Sequence, residues 1–241
     1  MKPRIPQNHW LYRLPVAHRG LHGDAVPENS MSAFSLAVEA GYAIETDVHL
    51  TADGKLVLFH DDDSSRMCGV SGNIKLKTRE ELSALRLAGT NETIPDFADL
   101  LRLAEGKVPL LIELKSNGER GLERAVALAL KDYKGEYALQ SFDPFILRRL
   151  KKLVPETPIG QLSSFFRDQK FGFLKRTLLK DMVLSPRVDF ISYNTEDLPF
   201  SRAKKAGVPL LAWTVRTEEE YARVTRYCDN VIFENIRPEK K

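Results

Sequence analysis

The sequence predicts a TIM (β/α)8 barrel, with a β-hairpin extension on its second strand and no complete eighth outer helix. Three observations point there. Short β-rich apolar runs alternate with helical stretches along the whole chain, as in a parallel sheet whose crossovers are helices. There are nine such runs, one more than a barrel of eight takes, and two of them flank an Asp-Gly dipeptide. Polar residues recur at the run ends, where barrels of this type carry their chemistry.

The runs are "PVAHRG" (15–20), "AIETDV" (43–48), "KLVLFH" (55–60), "PLLIELK" (109–115), "YALQSF" (137–142), "IGQLS" (159–163), "FISYN" (190–194), "LLAWTV" (210–215) and "VIFEN" (231–235). Helices are expected at 30–40, 78–88, 95–105, 119–132, 144–153, 168–182, 199–206 and 217–226. In "PENSMSAFSLAVEAG", Asn29 or Ser30 is the N-cap and Gly41 closes the helix. Asp53-Gly54 is the preferred two-residue hairpin turn. Such a turn pairs Ala52 with Lys55 and puts Asp47 opposite His60. "KLVLFH" then becomes an antiparallel flap, because a parallel connection needs a crossover of about a dozen residues. After the last run only "IRPEKK" follows, too short for an outer helix. "NHWLYRLP" is expected to cover that gap with Trp10 and Tyr12. The connection at 63–94 is too short for an added domain, and no linker, low-complexity tract or repeat divides the chain. Residues 1–241 read as a single domain.

The chain is 43% hydrophobic and 29% charged, ordinary values for a soluble protein with a sizeable core. Its formal charge of +3 suits an anionic small molecule and falls far short of a nucleic-acid-binding signature. Cys68 and Cys228 lack metal-ligand spacing and favour a reduced compartment. There is no signal-like apolar region and no run of about eighteen apolar residues, so a cytoplasmic location without stable membrane association is expected. The segment "SSFFRDQKFGFLKRTLLKDM" (163–182) interleaves aromatic and basic residues and could lie on a membrane. Its apolar positions suit an outer barrel helix with a solvated basic face better.

Glu45, Asp47 and His49 alternate, so on a strand they share a face, as do Leu111, Glu113 and Lys115. Three carboxylates in one barrel mouth repel unless a cation or protons intervene. Oxygen ligands alone favour a hard divalent cation, Mg2+ or Ca2+. The alternative is that Lys115 and Arg19 pair with these acids as interior salt bridges. His18 and His60 suit a general acid and base, since imidazole titrates near neutrality. A single strand histidine is more often a core residue bonded to backbone, but two beside an acid cluster and an arginine carry more weight. Arg19, by its fork, and Lys115, as a point charge, suit a phosphate or carboxylate. His49 falls toward the hairpin tip, where solvent is expected.

Taken in order, "AHRG…PENS…ETDVHLTADGKLVLFHDD…IELK…SF…WTV" resembles the glycerophosphodiester phosphodiesterase family across nearly the whole chain. The resemblance implies a TIM barrel that hydrolyses glycerophosphodiesters to glycerol 3-phosphate and an alcohol with a divalent cation. It implies His18 and His60 as the acid–base pair, and Glu45, Asp47 and Glu113 as metal ligands. Arg19 and Lys115 would grip phosphate, and Trp213 would line the glycerol side. Glu28 and Asn29 match the family's "PEN" element, read here as shaping the loop after the first strand. The last strand ends "FEN" where a Thr-Asp-like pair is usual, so Glu234 and Asn235 receive no role. Two rivals stand beside this reading: a phospholipase-like enzyme acting on membrane lipids or lysophospholipids, and a non-catalytic barrel that binds phosphate esters. The intact histidine pair and acid triad count against the second.

Overall fold

Strand pairing organises the chain in the computed structural model, which describes residues 5–115, 121–164, 188–199 and 207–240. In chain order the elements begin with α1 (Trp10–Arg13), β1 (Val16–Ala17), α2 (Met31–Glu39), β2 (Ala43–Leu50) and β3 (Leu56–Leu58). There follow α3 (Ser65–Cys68), α4 (Arg79–Ser83), α5 (Phe97–Ala104), β4 (Leu110–Leu114), α6 (Leu122–Ala129) and β5 (Tyr137–Ser141). The chain continues through α7 (Pro144–Leu153), β6 (Ile159–Ser163), β7 (Phe190–Asn194), β8 (Leu210–Val215), α8 (Glu218–Val224) and β9 (Asn230–Phe233). The strand order is β1-β9-β8-β7-β6-β5-β4-β2-β3, with a further β1–β2 pairing. Eight strands thus form a closed parallel barrel, and β3 is bonded outside it.

All nine expected strands are present. The helix expected at 78–88 is cut short. Thr78 and Glu81 form a reciprocal capping box that starts α4. A 3-10 turn at Leu87–Gly89 then follows, with Ala88 at φ 49. The expected helix at 168–182 lies outside the described residues. So does 199–206 apart from Pro199, and the basic aromatic segment 163–182 apart from its first two serines. Among the described residues, no helix is long and apolar enough to cross a membrane.

Contacts divide the chain into two units, Ala17–Tyr137 and Met1–Val16 with Ala138–Lys241. Within the first unit, β2 runs parallel to β4 with Asp47 beside Glu113. On its other side β2 runs antiparallel to β3, pairing Val48 with Leu58, His49 with Val57 and Leu50 with Leu56. The hairpin forms, but one residue out of the expected register. Thr51, not Ala52, closes against Lys55: its N–H donates to the Lys55 carbonyl at 2.9 Å. Its Oγ1 accepts from the Lys55 N–H at 2.8 Å and donates to Asp53 Oδ1 at 2.6 Å. The loop is therefore three residues long, with Gly54 left-handed at φ +75. That matches a type I turn ended by a glycine bulge. As a result Asp47 lies opposite Phe59, whose N–H donates to the Asp47 carbonyl at 3.1 Å, and not opposite His60. The outer side of β3 meets residues 95–96, through Leu58 N–H to the Pro95 carbonyl at 3.0 Å and a Val57–Asp96 bridge. Val57, Phe59, Ile74, Leu82, Leu87 and Ile94 bury one another beneath this insertion, and Met67 and Cys68 of α3 pack on them.

In the second unit β5 to β9 run parallel in sequence order. The N-terminal segment covers β9 with Trp10 and Leu11, both buried, whereas Tyr12 is only half-buried. Asn230 Nδ2 ties the segment down, donating to the carbonyls of Leu11 at 3.2 Å and Leu14 at 2.7 Å. No helix follows β9 through residue 240.

Candidate active site

The loop after β1 is held in an uncommon backbone shape. Arg19 (φ 53) and Asn29 (φ 52) are both left-handed, a conformation that L side chains avoid unless their surroundings fix it. The Asn29 N–H donates to the Arg19 carbonyl at 3.0 Å, and the Leu21 N–H to the Ala33 carbonyl at 2.9 Å. Ser30 caps α2, its Oγ accepting from the Ala33 N–H at 3.1 Å. At Gly20 a Cβ would come within 2.8 Å of the Ala33 carbonyl carbon, so glycine alone lets α2 lie against this loop.

Glu28 and Asn29 do more than shape the loop. Asn29 Nδ2 donates to Asp47 Oδ2 at 2.9 Å, and its Oδ1 accepts from Thr46 Oγ1 at 2.7 Å. Glu28 Oε1 receives Arg19 Nη1 at 2.7 Å. The sequence signal was the fixed "PEN" trio, but nothing in its spacing says which side chain it reaches.

Oxygens of Glu45, Asp47 and Glu113 lie within 4.8 Å of one another, and all three residues are buried. Lys115 Nζ sits 2.8 Å from Asp47 Oδ1 and 2.8 Å from Glu113 Oε1. The Arg19 backbone N–H donates to Glu45 Oε2 at 3.1 Å. Arg19 Nε is buried 3.6 Å from Asp47 Oδ2 and makes no hydrogen bond among the described residues. The interior ion pairs expected as the alternative to metal therefore form, yet they leave charge over. Glu28, Glu45, Asp47, Asp61 and Glu113 supply five carboxylates, against the three permanent cations Arg19, Arg66 and Lys115 that meet them.

Titration follows that imbalance. Burial, then the charges of Asp47 and Glu113, push the Glu45 carboxyl well above the usual carboxylate range. Burial pushes Glu113 up to about 7, with Lys115 pulling down and Asp47 pushing up. Asp47 is also buried, but Lys115, His60 and Arg19 together hold it well below its ordinary value. Buried carboxyls that keep protons for want of positive charge, all offering oxygen, fit a hard divalent cation.

The imidazole of His60 places Nδ1 2.7 Å from Asp61 Oδ1. Burial lowers its pKa although Asp47's charge pulls it upward, so His60 feels Asp47 without being its strand partner. His49 is not solvated: it is 2% exposed, with Nε2 3.4 Å from the His60 carbonyl. Burial, with Lys115 beside it, pushes the His49 pKa down to about 4. The unfolded imidazole, at 6.5, takes up its proton first as pH falls. His49 thus contributes stability in full above about pH 6.5 and loses it as pH drops towards 4, by on the order of 3 kcal/mol. Urea unfolding between pH 7 and 4 should show that loss in the wild type and a shallower pH slope in His49→Gln. Equal slopes would remove His49 as the cause.

His18 follows β1 directly, with its ring 6.4 Å from that of His22. Trp213 belongs to the second unit, on β8, and meets Phe142 edge-on at 5.6 Å. Its Nε1 is buried without a hydrogen bond among the described residues. The first unit thus gathers Arg19, Glu45, Asp47, Glu113 and Lys115 into one network, with His60 under its field. Asp61 and Arg66, which no sequence pattern singles out, join it through His60 and Glu28.

Buried acids, an arginine with an unused N–H and a histidine at strand ends are the equipment of a barrel enzyme that works on an anionic ester. The model of the Glycerophosphoryl diester phosphodiesterase family matches residues 18–236. The chain belongs to that family and is a phosphoric diester hydrolase. A glycerophosphodiester phosphodiesterase of Caldanaerobacter subterraneus subsp. tengcongensis is 33% identical over 227 residues, covering 88% of this chain and 90% of the relative. A phosphodiesterase of Oleispira antarctica, solved in complex with the product sn-glycerol-3-phosphate, superposes with a TM-score of 0.75 at 28% identity, covering 91% of this chain and 93% of the other. The glycerophosphodiester phosphodiesterase of Thermotoga maritima gives a TM-score of 0.71 at 26% identity, covering 91% and 94%.

Proposed function

We propose that the protein hydrolyses water-soluble glycerophosphodiesters to glycerol 3-phosphate and an alcohol, with a divalent cation held by Glu45, Asp47 and Glu113. His18 and His60 serve as the acid–base pair, and residues 1–241 act as one domain. The observation that carries this is the buried acid cluster, short of positive charge, beside the unbonded Nε of Arg19. The product named in the Oleispira antarctica complex supports the same substrate class.

A phosphodiester is an anion that gains no good leaving group without help, so catalysis rests on charge stabilisation and proton transfer. Mg2+ or Ca2+ at the acid cluster would supply Lewis-acid stabilisation of the phosphoryl oxygens. Arg19, whose Nε faces Asp47, would offer its guanidinium to a non-bridging oxygen, and Lys115 adds a point charge beside it. With Nδ1 donating to the Asp61 carboxylate, His60 presents Nε2 for proton exchange. One histidine removes a proton from the attacking hydroxyl, either water or the substrate's own glycerol hydroxyl, the latter giving a cyclic phosphate that water then opens to glycerol 3-phosphate. A new P–O bond forms, the P–O bond to the alcohol breaks, and the other histidine protonates the departing oxygen.

Glycerophosphocholine, glycerophosphoethanolamine, glycerophosphoglycerol and lysophospholipids, each incubated with Mg2+ or Ca2+, form the test, with glycerol 3-phosphate followed by 31P NMR. The soluble diesters should be turned over best. Turnover of lysophospholipids alone would move the substrate class to lipids, and turnover of none would sink the proposal.

A further inference from the structure

Arg66, on the short α3, contacts neither the acid cluster nor Arg19 in any ion pair, yet it joins two site groups. Its Nη2 and Nη1 fork onto Glu28 at 2.6 Å (Oε1) and 3.2 Å (Oε2). Its Nε donates to Asp61 Oδ2 at 2.6 Å. Each carboxylate in turn holds a residue of the proposed machinery: Glu28 Oε1 accepts from Arg19 Nη1 at 2.7 Å, and Asp61 Oδ1 lies 2.7 Å from His60 Nδ1. One guanidinium therefore links the phosphate-binding arginine to the acid–base histidine through two carboxylates that each use both ends.

The backbone beneath Arg66 is built to keep it there. Asp63 Oδ1 accepts from the Ser65 N–H at 2.8 Å, and its Oδ2 from Ser71 Oγ at 3.0 Å and the Gly72 N–H at 2.9 Å. Ser64 Oγ donates to the carbonyls of Val70 at 2.6 Å and Gly72 at 3.1 Å. Met67 and Cys68, the next two residues, seat α3 on the apolar cluster under the insertion. Arg66 itself is 49% exposed. An exposed ion pair stabilises a fold little, so stability alone gives little reason for so much anchoring.

We infer that Arg66 is a positioning residue that sets the orientation of the His60 imidazole and the Arg19 guanidinium relative to each other. Its Nε–H keeps Asp61 turned so that a carboxylate oxygen, able only to accept, faces His60 Nδ1. That fixes the tautomer with the proton on Nδ1 and the lone pair on Nε2. The Arg66 Nη1–Nη2 fork keeps Glu28 on Arg19. Lysine cannot replace it, because one ammonium does not present a planar fork to two carboxylates.

This inference deepens the proposed hydrolase mechanism, and its test can fail separately from that mechanism. In Arg66→Ala, kcat/KM for a glycerophosphodiester should fall about 10–100-fold, as for lost outer-shell partners. The fall should divide between kcat, through His60, and KM, through Arg19. Arg66→Lys should recover little, whereas added guanidinium should restore part of the Arg66→Ala rate. Asp61→Asn with Arg66→Ala should cost less than the two separate losses combined, since both act through His60. Independently of substrate, 15N NMR of His60 should report the Nδ1–H tautomer in the wild type and a mixture in Arg66→Ala. An unchanged tautomer with wild-type kcat and KM overturns the inference. So does a loss of folded protein with normal turnover per folded molecule. If the wild type turns over no glycerophosphodiester, the functional reading falls, and the tautomer measurement still decides the role of Arg66.

Discussion

Replacing His60 by asparagine should lower kcat by roughly 10²–10⁴-fold, the usual contribution of a general acid or base. The melting temperature should barely move. The side chain of His60 is 34% exposed and leans on Asp61 by a single hydrogen bond, which asparagine can reproduce in part. No core packing is lost, so the large-to-small penalty of a buried site does not apply. The role no longer rests on a strand register opposite Asp47. It rests on the hydrogen bond that orients the ring and on the field of Asp47, which reaches it across the site. His18→Asn should behave alike. Steady-state kinetics beside thermal unfolding decide the matter: His60→Asn retaining more than about a tenth of wild-type kcat is inconsistent with general acid–base catalysis of this size. A histidine of purely structural use would reverse the pattern, lowering the melting temperature while surviving molecules kept their rate.

Removing divalent cations should abolish turnover, and adding back Mg2+ or Ca2+ should restore it. The expectation follows from charge. Lys115 already bridges two of the three acids, and Arg19 is shared with Glu28. Further acid charge has no cation left to meet it among the described side chains of the network. Glu45 and Glu113 answer by holding on to protons. A divalent cation displaces those protons, so calorimetry in buffers of different ionisation heat should record proton release on binding near neutral pH. Binding should also raise the melting temperature, since a ligand at 100 times its Kd stabilises the native state by about 2.7 kcal/mol. Undiminished turnover in chelator after dialysis would remove the cation from the mechanism. Cation binding without proton release would instead show that the acids are already ionised and that Lys115 and Arg19 balance them.

Strand number, strand order and the convergence of Glu45, Asp47 and Glu113 were legible because they follow from two-residue alternation and parallel neighbours. The hairpin was legible in place but not in register. Asp-Gly suits a two-residue loop, but the Thr51 hydroxyl, bonded to both Asp53 and Lys55, holds it at three. One residue of slip is enough to exchange His60 for Phe59 opposite Asp47. His49 was misjudged for a related reason: the sequence cannot show that residues beyond the strand fold back and bury it. Asp61 and Arg66, and the contacts of Asn29 with Asp47 and Thr46, were missed because these partners are far along the chain or reached through a second side chain. Arg66 and Glu28 are 38 positions apart, a link no local pattern encodes.

The hairpin strand has a cost of its own. Closing a barrel leaves no strand with free backbone groups, and bonding β3 to the outside of β2 creates such an edge again. An open edge invites pairing with another chain. Here it is kept to three residues and met on its far side by the Pro95 carbonyl and the Asp96 bridge. Residues 95–96 therefore act as a guard against self-association, at a point remote in sequence from the hairpin they cover.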